Sequence, residues 1–518
     1  MMATAASPAA GAMPLEEAEG SNEDSLENPP LKGKKGPLEA AMYSLVGEHN
    51  LALEVLCGVT VSLALVPEAV AFALSAGLTP SIGLHSAWII ALGTAILGGR
   101  PAMICGATGS IAVLIGDIIQ DRGVEYLFYA VMLMGVIEIV LGLLRVGRLV
   151  ELIPVPVMIG FCNGLALVIG LAQFGNFKDP EAADAARNAA RIRNQAAEGG
   201  GAGRRLSSFT AFIDGVPFIE GQTAFFAGII TALAFLTSLL LPKLTKRVPS
   251  ALVAICLGTI FEWVIVRPVG SHTPIVSDVA GLHGSFPTPV WSDDRYSMPP
   301  LNSETFFAVL PLACTMAAVG LLESLMTLNL IDEITKTVGN PMRECIAQGI
   351  SCFVCGVLGG MGGCAMIGQS MINVGSGART RVSSAIAGLI LLLIILVLFH
   401  VINLIPVSAL VGVMFNVVYH TFEWRSLKLV VLASMPLSMR KRLFSAESAK
   451  QKIRRADAVV IVIVTLVTLF TDLAIAVLCG MVFSCFMFVY DCATLITINT
   501  RDGVDGPTGR RVKYYDVH

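Results

Sequence analysis

Ten apolar runs, each near the roughly 20 residues that cross a bilayer's hydrocarbon layer, constrain this chain more than anything else in it. They cover 51–78, 82–98, 124–144, 152–174, 223–241, 250–266, 305–331, 383–402, 457–471 and 473–492. Only 14% of the 518 residues are charged, well under the quarter typical of soluble domains. The expected fold is all-α and polytopic, with the lipid bilayer as solvent and function placed between helices. No nucleic-acid partner is expected.

The placement of charge says more than its sum. With both termini cytosolic and each span reversing direction, the inside loops hold "RVGR" (145–148), "KLTKR" (243–247), "ARTR" (378–381) and the basic stretch 439–455. Of the 35 Lys and Arg, 26 then fall inside and 9 outside, which favours this orientation over its inverse. Residues 1–48 read as a disordered cytosolic tail with no apolar signal-peptide core. The membrane domain is expected over 49–495. Within it, 175–222 reads as an insertion on the far side, and 267–303 as an exposed loop. In the tail 496–518, residues 512–517 alternate like a strand that begins a further domain.

Two short glycine-interrupted segments stand out against the apolar background: "ICGATGSIAVLIGD" (104–117) and "GGMGGCAMIGQSMIN" (359–373). Each follows a long helix with an acid in its apolar interior, Glu68 in "LVPEAVAF" and Glu323 in "GLLESLMT". Glu68 and Glu323 are 255 positions apart, and Thr108 and Met366 are 258 apart. This order implies two structural halves of about seven segments each. Glycine weakens a helix and exposes backbone. At mid-membrane, exposed backbone is tolerated where it lines a cavity. A half-helix beginning there presents free N–H groups and about half a positive charge. Two of them aimed at each other make an anion site. Packing of small residues is the competing explanation for the glycines.

An ionised acid at a helix centre costs at least about 3 kcal/mol on insertion scales, so Glu68 and Glu323 are candidate functional groups. Glu138 reads as a packing residue. His85 and His400, near span ends, read as packing or hydrogen-bonding residues. The pair Cys352 and Cys355 reads as helix packing, since zinc needs four ligands. An intramembrane hydrolase is disfavoured: "GQSM" lacks the second glycine of a serine elbow, and Asp117 and Asp472 lie at span ends. No enzyme activity and no cofactor is expected, a bound sodium ion aside.

These stretches resemble the SulP sulfate-permease family of inorganic-anion transporters, related to the animal solute carriers that include prestin. The residues that carry the resemblance are "LVPEAVAFALSAGLTP", "GLLESLMT", "RECIAQGISCFVCGVLGGMGG" and "INVGSGARTRVS", in that order, over about 50–500. The resemblance implies fourteen membrane segments in two inverted repeats of seven. Segments one to four and eight to eleven would form a core domain, and five to seven with twelve to fourteen a gate domain. It also implies half-helices at segments three and ten, an elevator-like cycle, a homodimer, and a cytosolic STAS domain that "RRVKYYDVH" would open.

The resemblance further places the substrate anion, sulfate or bicarbonate, among Gly106, Ala107, Thr108 and Gly109 on one side and Ala365, Met366, Ile367 and Gln369 on the other. By similarity to the sodium-dependent bicarbonate transporters of cyanobacteria, a coupling ion would sit at Thr108, Glu323 and Thr327. Here glutamate replaces their aspartate, and Ile367 replaces a threonine. Gln369 stands where many members carry arginine, and Glu68 where glutamine is commoner. An anion at mid-membrane without that arginine needs a compensating cation. Sodium at Glu323 and Thr327, a proton on Glu68 or Glu323, and simple anion exchange are all open at this point, with coupled uptake favoured over exchange.

Overall fold

Helices that are apolar on every side, rather than along one stripe, have no water-facing surface and pack as bundles in lipid. This computed structural model describes residues 50–145, 147, 155–178, 218–244, 249–282, 284–434, 455–470, 479, 482, 486, 498–504 and 511–517. The tail 1–48, most of the insertion 175–222, most of the basic stretch 439–455 and most of the run 473–492 lie outside the described residues.

The first half runs α1 (Leu51–Ser75), α2 (Pro80–Leu97), β1 (Cys105–Gly106), α3 (Gly109–Asp121) and α4 (Val124–Leu143). It continues with α5 (Val155–Gln173), α6 (Gly221–Leu244) and α7 (Ser250–Phe261). After a short helix α8 (Val276–Ala280), the second half repeats the order: α9 (Ser303–Thr335), α10 (Pro341–Val357), β2 (Cys364–Ala365), α11 (Ile367–Gly375) and α12 (Arg381–Val397). Then follow α13 (Phe399–Asn403), α14 (Val407–Thr421), α15 (Trp424–Ser434) and α16 (Arg455–Phe470), and finally the strands β3 (Ile498–Val504) and β4 (Arg511–Val517).

Seven of the described helices are long and apolar enough to cross a membrane: α1, α2, α4, α5, α6, α7 and α9, with α5 and α7 counted through their terminal turns. Helices α12, α14 and α16 are apolar but shorter. Adding α10 and the two half-helices α3 and α11 gives most of the expected segments.

Two groups of helices emerge from the packing. Helices α1 to α4 contact α9 to α12, with α4 against α10 the most extensive seam. Helices α5, α6 and α7 contact α14 and α16. The α4–α10 seam is close because small residues meet in it. A Cβ on Gly135 would lie 2.5 Å from the carbonyl oxygen of Gly349, and one on Gly349 would lie 2.5 Å from that of Gly135. Cys352 and Cys355 are buried free thiols of α10. His85 is buried and accepts a hydrogen bond from Trp88 Nε1 at 3.1 Å, while His400 is exposed beside Phe399.

The structure departs from sequence expectation in two places. The segment 267–303 is not simply exposed. Val276 N–H donates to Ile405 O, Val290 N–H donates to Val357 O, and Leu282 and Val290 are buried. Its prolines and aspartates mimic a solvated loop, but its apolar residues cover helix ends. The terminal strand also has a partner that the alternation over 512–517 did not reveal. β4 pairs antiparallel with β3, from Ile498↔Val517 to Val504↔Arg511. The sequence hid the partner because "INTRDGV" carries turn-type residues inside a strand.

Candidate functional site

Two extended dipeptides form the floor of the site. β1 and β2 pair antiparallel, Cys105 opposite Ala365 and Gly106 opposite Cys364. Contact is this close because Gly363 has no side chain; its Cβ would lie 2.0 Å from Gly106 O. From this pair the chain turns directly into α3 and α11. Their first residues, Gly109 and Ile367, are 258 positions apart, the same offset as Thr108 and Met366.

Thr108 and Met366 are the N-caps, both extended, and neither side chain caps its helix. The backbone ladder begins at Ala112 N–H to Thr108 O in α3 and at Ser370 N–H to Met366 O in α11. The first three N–H groups of each half-helix therefore have no intrahelical acceptor. At α11 this end is open: Gly368 is exposed, and nothing lies within 4 Å of where its Cβ would be. At α3 it is covered: a Cβ on Gly109 would meet Ile169 at 2.6 Å and Phe72 at 2.7 Å.

Of the backbone donors nominated on the α11 side, two are already committed. Ala365 N–H donates to Ser324 Oγ at 3.1 Å, and Met366 N–H donates to Ile104 O at 2.9 Å. Among the described residues, the donors left without an acceptor on this side are those of Ile367, Gly368 and Gln369. Gly106 and Ala107 are buried in and just after β1, where they carry the chain into α3.

The acids divide between the half-helices in a crossed pattern. Glu323, on α9 of the second half, accepts from Ser110 Oγ of the first half at 2.5 Å. It also accepts from Cys364 Sγ at 3.1 Å. Thr108 Oγ1 lies 3.0 Å from Ser110 Oγ and 3.1 Å from Cys364 Sγ, which closes a polar cluster. Glu68, on α1 of the first half, accepts from Gln369 Nε2 of the second half at 2.6 Å. Each acid thus holds the half-helix of the opposite repeat. Glu68 is buried and Glu323 half-buried, and a carboxylate withdrawn from water needs such donors, because desolvating it without partners costs several kcal/mol.

Thr327 stands apart from the carboxylate. Its hydroxyl donates to Glu323 O at 2.8 Å, one turn back along its own helix. This is the local bond that threonine commonly makes inside a helix. Glu138 is fully buried, against Gly320 and within reach of the Cys352 thiol.

Cys364 and Ser324 were not nominated from the sequence. The signal for Ser324 was adjacency to Glu323. For Cys364 it was the 258 offset, which makes it the counterpart of Gly106. Ser370 was quoted in its glycine-rich stretch but given no role; its Oγ accepts from Ile104 N–H at 3.0 Å and ties α11 to β1.

The family model described as the sulfate permease family matches residues 51–435. A putative sulfate transporter YbaR of Bacillus subtilis is 38% identical over 384 residues, covering 73% of this chain and 68% of that protein. The bicarbonate transporter BicA of Picosynechococcus is 26% identical over 389 residues, covering 73% of this chain and 63% of that one. The chain thus spans about two thirds of the length of these relatives. The solved transmembrane domain of a cyanobacterial BicA superposes with a TM-score of 0.61 at 24% identity, covering 82% of this chain and 98% of that domain. The fold is therefore the 7+7 inverted-repeat transporter fold, and the chain is a multi-pass membrane protein and not an enzyme. The chain belongs to the sulfate permease family.

Proposed function

We propose that this protein is a secondary active transporter of a small inorganic oxyanion, sulfate or bicarbonate. The anion lies between the N-termini of α3 and α11, and a cation is carried at Glu323. The observation that carries the proposal is the pair of half-helices starting 258 positions apart with uncapped N-termini. Each contributes about half a positive charge. Ile169 of α5 covers the start of α3 while the start of α11 is open. That arrangement supports an elevator-like cycle, in which the core group α1–α4 and α9–α12 moves against the gate group.

Thr108 and Ser110 supply hydroxyl oxygens beside the Glu323 carboxylate, which suit a hard cation. The Cys364 thiol suits one poorly, and a proton on Glu323 needs no further ligands. The test is purified protein in liposomes, with labelled sulfate and bicarbonate under sodium and proton gradients in turn. Accumulation of one anion under one gradient is expected. No accumulation of either anion under either gradient would overturn the proposal.

The same proposal places both termini in the cytosol and the insertion 175–222 on the far side, from the Lys/Arg bias. The protein works as a homodimer, and the β3–β4 hairpin opens a STAS-type domain. Cysteines introduced into 175–222 should react with an impermeant reagent on intact cells. Reaction only after permeabilisation would reverse the orientation.

Gly368→Ala separates function from fold. The added methyl enters open space, and alanine favours a helix over glycine by about 1 kcal/mol. The protein should be at least as stable as the parent, yet transport at least tenfold less, because the methyl occupies the approach to the free N–H groups. Undiminished transport in that variant would remove the α11 N-terminus from the site.

A further inference from the structure

One atom at the start of α11 differs in kind from the donors around it. Gln369 is 4% exposed, and its amide nitrogen donates to Glu68 Oε1 at 2.6 Å. With Glu68 ionised, that bond fixes the amide, since turning it over would set its oxygen against a carboxylate oxygen that has no hydrogen to give. The amide oxygen, Oε1, is left buried with no hydrogen-bond partner among the described residues. Gln369 is the third residue of α11, and side chains on a helix lean toward its N-terminus. The unpaired acceptor therefore belongs to the same end of α11 as the free N–H groups of Ile367, Gly368 and Gln369. The exposed Gly368 beside it leaves that end open.

We propose that the Gln369 amide oxygen selects an anion that carries its own hydroxyl hydrogen, so that the site prefers bicarbonate to fully deprotonated oxyanions such as sulfate. The proposal rests on the anion-transport function above and names the substrate within it. Backbone donors bind any oxyanion. An acceptor binds only one with a hydrogen to give. A buried acceptor left unpaired costs free energy, and a site built to bond a substrate hydroxyl rejects an analogue lacking it.

Charge acts in the same direction. Two half-helix ends amount to about one positive charge, which matches a monovalent anion and leaves a divalent one half compensated. Four arginines of the core group make their bonds elsewhere, at helix ends. Arg100 pairs with Asp332, Arg343 donates to Leu97 O, Arg379 to Val374 O, and Arg381 to Ala95 O. Glu68 and Glu323 stand beside the half-helices and add no attraction for a dianion.

Nitrate and bicarbonate make the decisive comparison. Both are planar, monovalent and three-oxygen anions, and only bicarbonate has an O–H. The full chain is reconstituted in liposomes, and uptake of labelled bicarbonate is competed with unlabelled bicarbonate, nitrate or sulfate. Nitrate and sulfate should each compete at least tenfold more weakly than bicarbonate. In Gln369→Met, which keeps the length of the side chain and removes the acceptor, the bicarbonate-to-nitrate ratio should fall to within about twofold. Nitrate competing as well as bicarbonate in the parent protein would overturn the inference and leave the transport function standing. The parent ratio alone decides this, whether or not the variant folds. An unchanged ratio in a folded Gln369→Met variant would also overturn it. Failure of all three anions to interact, with no uptake of labelled bicarbonate or labelled sulfate, would overturn the inference and the transport function together.

Discussion

Gly363→Ala should leave little or no folded protein. The added Cβ would stand 2.0 Å from Gly106 O, 2.7 Å from Gly106 C and 3.0 Å from the Cα of Ala107. All three are backbone atoms, so no rotamer change relieves the overlap. The β1–β2 pair must separate, and with it the bonds that seat both half-helices: Ala365 N–H to Ser324, Met366 N–H to Ile104 O, and Cys364 to Glu323. Overpacking in a tight core costs about 1–3 kcal/mol, and losing these buried bonds adds to it. Purification should give aggregated material, or a monodisperse fraction with a melting temperature lower by a few degrees at that cost. A melting temperature equal to the parent's would show that the strand pair is more pliable than its geometry implies. Gly368→Ala, five positions later, provides the contrast, because there the methyl meets nothing.

Those two glycines mark what the sequence does and does not disclose. The glycine patches, their order after Glu68 and Glu323, and the 258 offset were legible, because repeat spacing is a property of the chain alone. The starts of α3 and α11 fall at that offset. The division of labour among glycines was not legible. Gly363 permits backbone contact, Gly109 lies under Ile169 and Phe72, and Gly368 lines open space. All three look alike in sequence.

Side-chain partnerships across the repeats were hidden for a related reason. Helical periodicity reports which residues share a face, not which distant element covers it. Glu68 and Glu323 were identifiable as costly groups in lipid. Their crossed bonds to Gln369 and Ser110 arise only when the two halves interlock. Thr327 had the right spacing from Glu323 to join it, but a threonine hydroxyl can satisfy itself on the carbonyl four residues back, and here it does. Cys364 entered the cluster because an extended dipeptide, not a helix, carries it past Thr108.

Glu323→Gln should abolish gradient-driven accumulation while leaving anion binding in place. The substitution keeps the shape of the side chain and an oxygen that can accept from Ser110 and Cys364, so the cluster around Thr108 survives. What changes is the charge count in the site. The two half-helix ends supply about one positive charge, which one monovalent anion balances. An ionised Glu323 then leaves one negative charge uncompensated at mid-membrane, where each bare charge costs several kcal/mol. A sodium ion or a proton restores the balance, and this requirement couples anion movement to the cation gradient. With glutamine that charge is gone, and the loaded site no longer needs the cation that balanced it. The anion should then still exchange down its own gradient, but accumulation driven by sodium or protons should fall by about a hundredfold, to background. The two cations separate in the residual exchange and in stability. If the parent carries a proton, exchange by the variant loses the parent's pH dependence. If it carries sodium, the rise in melting temperature that sodium gives the parent disappears. Accumulation by Glu323→Gln at the parent rate, under either gradient, would make this acid a structural partner of Ser110 and Cys364, and coupling would have to reside elsewhere.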